Sequence, residues 1–291
     1  MLKFIKRKLA RYQQRRTFQE YGFEVSRFDL LTGATMEYAQ WLHPFEGKKI
    51  IGQAQIDFYR AFLKPGELVI DIGAHTGDTS VPMGFAVGPS GCVLAIEPNK
   101  HVYKILQANA KLNPAQTNII PLNFAVTERD GTFDFHYSDA SFCNGGFLSE
   151  IESNAHNHKY TLAVEGRNLE DYLAQHHAAL LPRLGLLKVD AEGYDKEILK
   201  SMHALIQRWQ PFIIAECYKK LTREERFDLY DTIVGMGYTP YRIGEFVGRD
   251  EIKITRREDM LNWPHMDMLL LPAGKVPYAV AGAPGEPGAA E

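Results

Sequence analysis

Four carboxylates in this chain lie at the ends of short, mostly apolar runs that have the length of buried β-strands. They are Asp71, Glu97, Asp190 and Glu216. In a parallel α/β sheet the carboxyl ends of the strands lie along one edge, where ligands bind. Each acid alone could cap a helix or form a salt bridge, but four like charges on one edge are costly unless a cation or hydrogen-bond donors meet them. The pattern therefore predicts a ligand site at this edge.

The first of these strands leads into a turn that contains two glycines. The strand is Leu68–Ile72, and residues 73–78 read GAHTGD. Gly73 and Gly77 give the backbone freedom, or leave room for a ligand to approach. A buried strand, a glycine-bearing turn and a helix form the nucleotide-binding corner of a doubly wound α/β sheet.

The turn departs from the dinucleotide pattern G-x-G-x-x-G, because His75 and Asp78 occupy its second and third glycine positions. A pyrophosphate at the helix N-terminus would face the Asp78 carboxylate, which argues against a nicotinamide-dependent oxidoreductase, the alternative enzyme class. S-adenosylmethionine has no phosphate and carries a sulfonium cation, which carboxylates stabilise. Glu97, at the tip of the second strand, has two oxygens that can accept both hydroxyls of a ribose.

Periodicity along the chain predicts strands that alternate with helices. Predicted strands are Leu68–Ile72, Gly91–Glu97, Asn118–Val126, Gly131–Tyr137, Tyr160–Glu165, Leu184–Asp190, Phe212–Glu216, Tyr238–Ile243 and Met266–Leu271. Predicted helices include Ile50–Leu63, Asn99–Leu112, one starting at Asn168 and Thr222–Met236. We therefore predict an α/β fold: a Rossmann-like, doubly wound, mostly parallel seven-stranded sheet with an inserted hairpin and loop, and an N-terminal helical extension.

Composition narrows the function classes. The chain has 291 residues, 45% of them hydrophobic, and a formal net charge of −3, which argues against binding nucleic acid by bulk charge. Its three cysteines lack metal-site or disulfide spacing, and we find no membrane-spanning run or signal-peptide pattern. A cytoplasmic enzyme is the expectation.

Segments outside the strand and helix pattern are predicted to be appendages. Residues 1–16 form a basic amphipathic helix that could touch an anionic membrane or pack on the domain, and they begin an aromatic extension that ends at residue 49. The main domain covers residues 50–272. Residues 138–159 are a polar loop that could act as a lid, and residues 273–291 are a disordered tail.

A second motif suggests a family. Residues 188–193 read KVDAEG, and this segment resembles the K-x-D-x-E-G signature of the FkbM branch of class I S-adenosylmethionine-dependent methyltransferases. The glycine turn and the strand end at Glu97 resemble the cofactor site of the same superfamily. The resemblance covers roughly Gly66 to Leu270 and implies O-methylation of a hydroxyl on a sugar, polyketide, lipid or other small-molecule or glycan acceptor.

The resemblance also implies roles for individual residues. Asp71, Gly73 and Gly77 would hold the methionine part of the cofactor, and the segment from Asn123 to Ala125 would pass beside the adenine. His75 stands where the family usually has Asn, and it is included among the residues expected to contact the cofactor.

Methylation of an alcohol needs a group that accepts the hydroxyl proton. Asp190 and Glu192 are the leading candidates, Lys188 lies on the same side of the strand as Asp190, and Glu216 is the next acid to consider. These acids could also hold a divalent cation, but Lys188 could balance the same charges, and no metal ligand is assigned. A third function class is a methyltransferase-like binding module without activity, although all of these acids are present.

Overall fold

The computed structural model describes residues 12–13, 15–142, 147–148, 160–244, 246–247 and 250–278. An eight-stranded sheet forms its centre. In spatial order its strands are β13 (Ile252–Lys253), β12 (Tyr238–Ile243), β14 (Met266–Pro272), β11 (Phe212–Cys217), β10 (Leu184–Val189), β3 (Leu68–Ile72), β4 (Cys92–Ile96) and β5 (Ile119–Leu122).

The predicted seven-stranded sheet is confirmed, with the two-residue β13 added at its edge. The strands from β5 to β11 pair in parallel, whereas β14 pairs antiparallel with both β11 and β12. Strands β3, β4, β10 and β11 are buried along their whole length, as expected for parallel strands that are covered on both faces.

Helices cover both faces of this sheet. They are α1 (Gln53–Arg60), α2 (Ser80–Val87), α3 (Lys100–Leu112), α4 (Leu169–His176), α5 (Asp195–Ser201), α6 (His203–Trp209) and α7 (Arg223–Gly235). Buried side chains of α1 and α2, with Leu106 of α3, belong to one apolar cluster and those of α4 to α7 to another, while Val102 and Ile105 of α3 pack with Ala39 and Trp41. Because successive side chains of a strand point to opposite faces, each strand of this sheet except β13 contributes to both clusters.

A second sheet corresponds to the predicted insertion. Its order is β6-β9-β7-β8, with β6 (Ala125–Val126), β7 (Gly131–Tyr137), β8 (Phe147–Leu148) and β9 (Tyr160–Arg167). Strands β7 and β9 pair antiparallel, which confirms the predicted hairpin. The single strand predicted over 118–126 is wrong, because the chain leaves the central sheet after Leu122 and its last two residues pair with β9.

The segment from Thr17 to Lys49 is more regular than the sequence indicated. It contains the antiparallel hairpin of β1 (Phe23–Asp29) and β2 (Thr35–Trp41). Two buried asparagines of the α3 segment hold this hairpin, since Asn109 Oδ1 accepts a hydrogen bond from the Ala39 N–H at 2.6 Å and Asn113 Oδ1 accepts one from Glu37 at 2.9 Å. Residues 23–41 therefore pack on the main domain rather than standing apart from it.

The two ends of the chain are described only in part. Residues 12–13 and 15–16 are helical, and the rest of the predicted basic helix lies outside the described residues. The predicted tail starts with residues that contact the domain, since Tyr278 N–H donates to the Ala61 carbonyl oxygen; residues 279–291 lie outside the description. Within the described chain no helix combines the length and hydropathy needed to cross a membrane.

Gly73→Ala tests whether the turn after β3 needs glycine. Gly73 has φ +77°, and a Cβ there would lie 2.0 Å from the Asp190 carbonyl oxygen. A left-handed conformation costs about 1 to 2 kcal/mol for an L-residue, before the clash is counted. We expect the melting temperature to fall by several degrees. In the control, Gly235→Ala, nothing lies within 4 Å of the new Cβ, so stability should be unchanged or slightly raised; equal melting temperatures for the two variants would contradict the prediction.

Candidate active site

The glycine turn brings the ends of three strands together. The N–H groups of Gly73 and Ala74 both donate to the Ile96 carbonyl oxygen at 3.0 Å, which ties the turn to β4. On the other side, Asp190 N–H donates to the Ile72 carbonyl oxygen at 3.1 Å. Gly77 also has a positive φ of 94°, and His75 adopts one of 48°. A non-glycine residue in this region is strained, and such strain is concentrated at functional sites.

The Asp71 side chain is more deeply buried than we expected for a residue that contacts a ligand. Its side chain is fully buried, and Oδ2 accepts hydrogen bonds from the hydroxyls of Ser80 at 2.6 Å and Thr79 at 3.0 Å. Its Oδ1 lies 3.5 Å from Lys188 Nζ. Asp71 therefore joins the start of α2 to β10, and a direct contact with the methionine part of a cofactor is not what this geometry supports.

Glu97 lies where the sequence predicted a ribose acceptor. Its Oε2 accepts the His75 N–H at 3.0 Å and its Oε1 accepts the Asn99 N–H at 2.8 Å. Burial raises its pKa, while His75 and the Asn99 N–H act in the opposite direction. A carboxylate has about four lone-pair sites, so these two bonds fix its orientation and leave capacity for further donors.

The segment from Asn123 to Ala125, which the resemblance places beside the adenine, is held against the end of β4. Asn123 Nδ2 donates to the carbonyl oxygens of Glu97 at 2.8 Å and Pro98 at 3.1 Å, and Ala125 is buried in β6. Asn99 Nδ2 donates to the Phe142 carbonyl oxygen at 2.7 Å. The start of the predicted loop therefore lies beside Glu97, while most of residues 143–159, with both of the loop's histidines, lie outside the described residues.

The N-terminal hairpin supplies contacts to the glycine turn that the sequence did not reveal. The hydroxyls of Tyr38 and Thr76 are 2.7 Å apart and buried, and Lys49 Nζ lies 3.0 Å from Asp78 Oδ2. Burial acts to raise the pKa of Asp78, but Lys49 lowers it overall. Asp78 is thus neutralised from outside the turn. These contacts cross the expected boundary at residue 50.

Three carboxylates lie side by side on the far side of the site, and we call them the acid row: Asp190, Glu216 and Asp267. Val189 pairs with Ala215, which places Asp190 level with Glu216, and Glu216 pairs directly with Asp267. Adjacent strands are about 4.8 Å apart. Asp267 was not predicted, although it interrupts the apolar run of β14.

Lys188 balances part of this charge. Its side chain is 3% exposed, and Nζ lies 3.1 Å from Asp190 Oδ2 and 3.5 Å from Asp71 Oδ1. Burial acts to lower the pKa of Lys188, but the two carboxylates raise it well above its usual value, so the side chain stays charged. This geometry supports the predicted orienting role and leaves Asp190, at 44% exposure, as the accessible member of the group.

Glu216 in the acid row and Glu192 beside it each have a side-chain partner. The Tyr218 hydroxyl hydrogen-bonds to Glu192, whose backbone has a positive φ of 53°. His265 Nδ1 lies 3.2 Å from Glu216 Oε1. Burial, and then the charge of Asp190, raise the pKa of Glu192 and raise that of Glu216 to about 9. Glu216 is therefore protonated at neutral pH.

Asp195 is a further acid that sequence reasoning missed. Its Oδ2 accepts the Gly193 N–H at 3.2 Å and its Oδ1 accepts the Glu216 N–H at 3.1 Å, so it ties the signature turn to β11. Burial, and then Asp190, raise its pKa to about 7. Its position five residues after Asp190, the last residue of the predicted strand, was the available signal.

The acids do not form a metal site in the described chain. No group of three or more His, Cys, Asp and Glu side chains among the described residues is arranged to hold a metal ion. The arrangement places Glu97, a buried carboxylate at the end of β4, on the same sheet edge as the carboxylates of β10, β11 and β14.

Comparison with known proteins assigns this arrangement to a family. The family model described as "Methyltransferase FkbM domain" matches residues 71–246, which is more than half of the chain and includes the glycine turn and the KVDAEG segment. The chain belongs to the FkbM methyltransferase family. The expected family and the class I fold are thereby confirmed, and the protein is a methyltransferase.

Individual relatives are distant. Methyltransferase sdnD of Sordaria araneosa is 25% identical over 199 residues, covering 58% of this chain and 76% of the relative. rRNA 2'-O-methyltransferase fibrillarin 1 of Arabidopsis thaliana is 34% identical over 93 residues, 31% of this chain and 28% of the relative. The FkbM methyltransferase structure from Methylobacillus flagellatus KT aligns with a TM-score of 0.43 and 14% identity, covering 72% of this chain and 44% of the other.

The raised pKa of Glu216 predicts how the free energy of unfolding depends on pH. The pKa of Glu216 rises from 4.5 in its ordinary state to about 9 in the folded protein. Between these values the folded state binds more protons than the unfolded state, so the free energy of unfolding falls as pH rises. Glu216→Gln removes this titration. We expect the free energy of unfolding to decrease between about pH 5 and about pH 8 by at least about 1 kcal/mol less in the variant than in the wild type.

Chemical denaturation at several pH values measures this difference. The matched control is Glu128→Gln, since Glu128 is exposed, and its pH dependence should follow that of the wild type. A Glu216→Gln variant with the wild-type slope would contradict the assignment of Glu216 as a buried, protonated acid.

Proposed function

We propose that this methyltransferase uses S-adenosylmethionine to methylate a hydroxyl group of a small-molecule or glycan acceptor. The observation that carries the proposal is the position of Glu97, a buried carboxylate at the end of β4 beside the glycine turn. The acid row at the ends of the neighbouring strands supports an acceptor site next to it.

The residues around Glu97 fit the proposed cofactor. A carboxylate held by two backbone N–H groups is preoriented to accept ribose hydroxyls. The hydroxyl of Tyr137, buried near Glu97, has no hydrogen-bond partner among the described residues. The carboxylates around the turn suit a sulfonium cation better than a phosphate. When bound, S-adenosylmethionine supplies an electrophilic methyl group.

The strand order separates the two halves of the site. Glu97 follows β4, and Asp190 follows β10, two strands away; Glu216 and Asp267 lie on the next two strands. A cofactor placed over β4 and β3 leaves the acid row to face the acceptor. Asp190 and Glu192 are then the groups that receive the hydroxyl proton, and Lys188 holds the Asp190 carboxylate in place.

Glu192 has the properties of the stronger base of the two. Its pKa is raised by burial, and a catalytic base is most effective when its pKa is near the working pH. Asp190 is paired with the buried ammonium group of Lys188, which fixes the position of its carboxylate. We therefore expect Glu192 to take the larger share of proton transfer, with Asp190 placing the acceptor hydroxyl.

Glu97→Ala tests the cofactor site. A hydrogen bond to a charged group is worth about 1.5 to 3 kcal/mol, so affinity for S-adenosylmethionine and S-adenosylhomocysteine should fall about tenfold or more. Isothermal calorimetry gives both dissociation constants. Glu165→Ala, an exposed glutamate on β9, is the control. Binding of NAD with no heat from either sulfur ligand would support the oxidoreductase alternative instead.

Asp190→Asn and Glu192→Gln test the chemical step. Loss of the base should lower kcat by about 10² to 10⁴ while cofactor affinity stays near wild type, whereas loss of a helix cap would cost about 1 kcal/mol of stability and spare turnover. Acceptors are first found by mass spectrometry as a gain of one methyl group. The control is Asp134→Asn on the exposed face of β7. Wild-type kcat in both variants would show that neither carboxylate is the base.

A further inference from the structure

A buried arginine lies behind the acceptor side of the site. Arg226, in the first turn of α7, is 5% exposed. All five of its N–H groups have backbone carbonyl acceptors. Nε donates to Leu221 at 3.2 Å, Nη1 to Met260 at 3.0 Å and Trp263 at 2.9 Å, and Nη2 to Tyr218 at 3.1 Å and to Pro264.

Two of these carbonyls belong to the segments that hold the glutamates of the site. The Tyr218 side chain carries the hydroxyl that bonds to Glu192. Pro264 directly precedes His265, whose Nδ1 lies 3.2 Å from Glu216 Oε1. Nη2 of Arg226 donates to both carbonyls, so one nitrogen fixes the distance between the two segments.

We propose that Arg226 is a positioning residue for methyl transfer, which acts by holding Tyr218 and His265 against Glu192 and Glu216. This role rests on the proposed acceptor side of the site. Arg226 touches neither cofactor nor acceptor and is not itself catalytic.

The chemistry of the side chain explains why arginine is needed. Its guanidinium is planar and presents five donors in a fixed fork, whereas lysine has three donors on one nitrogen. Lysine at position 226 could keep the charge but could not reach both segments with fixed geometry. Because a misplacement of about 1 Å can cost about 10² in rate, loosening these segments should affect catalysis.

The test measures the chemical shifts of the His265 ring, which depend on its contact with Glu216, by NMR of the full-length protein labelled with ¹³C-histidine. His265→Gln identifies the His265 ring signals among the ten histidines, and Glu216→Ala gives their position without the side chain that faces the His265 ring. In Arg226→Lys we expect the His265 signals to move at least half of the way from the wild-type position to that reference. Arg226→Gln, with fewer donors and no charge, should move them at least as far.

Arg183→Lys is the matched control. Arg183 also donates to two backbone carbonyls, of Gly66 and Ser90, both at 3.1 Å, but at the opposite end of the sheet. The His265 signals should stay at their wild-type position in this variant. S-adenosylhomocysteine affinity, measured by calorimetry, should be unchanged in Arg226→Lys, and kcat with an identified acceptor should fall about 10-fold to 10²-fold.

Three results would overturn the proposal: wild-type His265 signals in Arg226→Lys, a loss of cofactor affinity as large as the loss of turnover, or failure of both Arg226 variants to fold, which would assign the residue to global stability. The NMR measurement needs no methyl transfer, so its outcome is separate from that of the proposed function.

Discussion

The site depends on one buried cation between two carboxylates. Lys188 lies between Asp71 on the neighbouring strand and Asp190 at the end of its own strand. Without Lys188, the fully buried carboxylate of Asp71 would lose the cation beside it, and a buried charge without a partner costs several kcal/mol. Asp71 in turn accepts the hydroxyls at the start of α2, so the same ion group connects the glycine turn, the first helix after it and the signature strand.

This arrangement divides the charges of the site into two kinds. Asp71 and Asp78 are neutralised by Lys188 and Lys49, so they shape the turn without repelling each other. Glu216, Asp267 and Glu192 have pKa values raised by burial and by the charge of Asp190. The half of the site that we propose binds the cofactor is therefore held by fixed ion pairs. The half that we propose binds the acceptor keeps groups that can take up or give up protons, as the proposed activation of a hydroxyl requires.

The segment before the main domain is part of the same structure. Tyr38, Trp41 and Lys49 reach the glycine turn from the N-terminal hairpin and its following loop. His75, which stands in place of a family asparagine, has its ring centroid 6.2 Å from that of Trp41, and its N–H donates to Glu97. The residue that departs from the family pattern thus connects the hairpin to the predicted ribose acceptor.

The sequence alone determined most strands and helices of the main domain, the glycine turn, the four strand-end acids and the family. These features are local: apolar runs, glycine spacing and the KVDAEG motif are visible in neighbouring residues. Only the tertiary structure decided which acids are buried, which are exposed and which lie side by side. It buried Asp71, placed Asp267 beside Glu216 and brought Arg226 behind Tyr218 and His265. Strand pairing and helix packing join residues far apart in the chain, and the burial that results sets both exposure and pKa, so neither can be read from neighbouring residues.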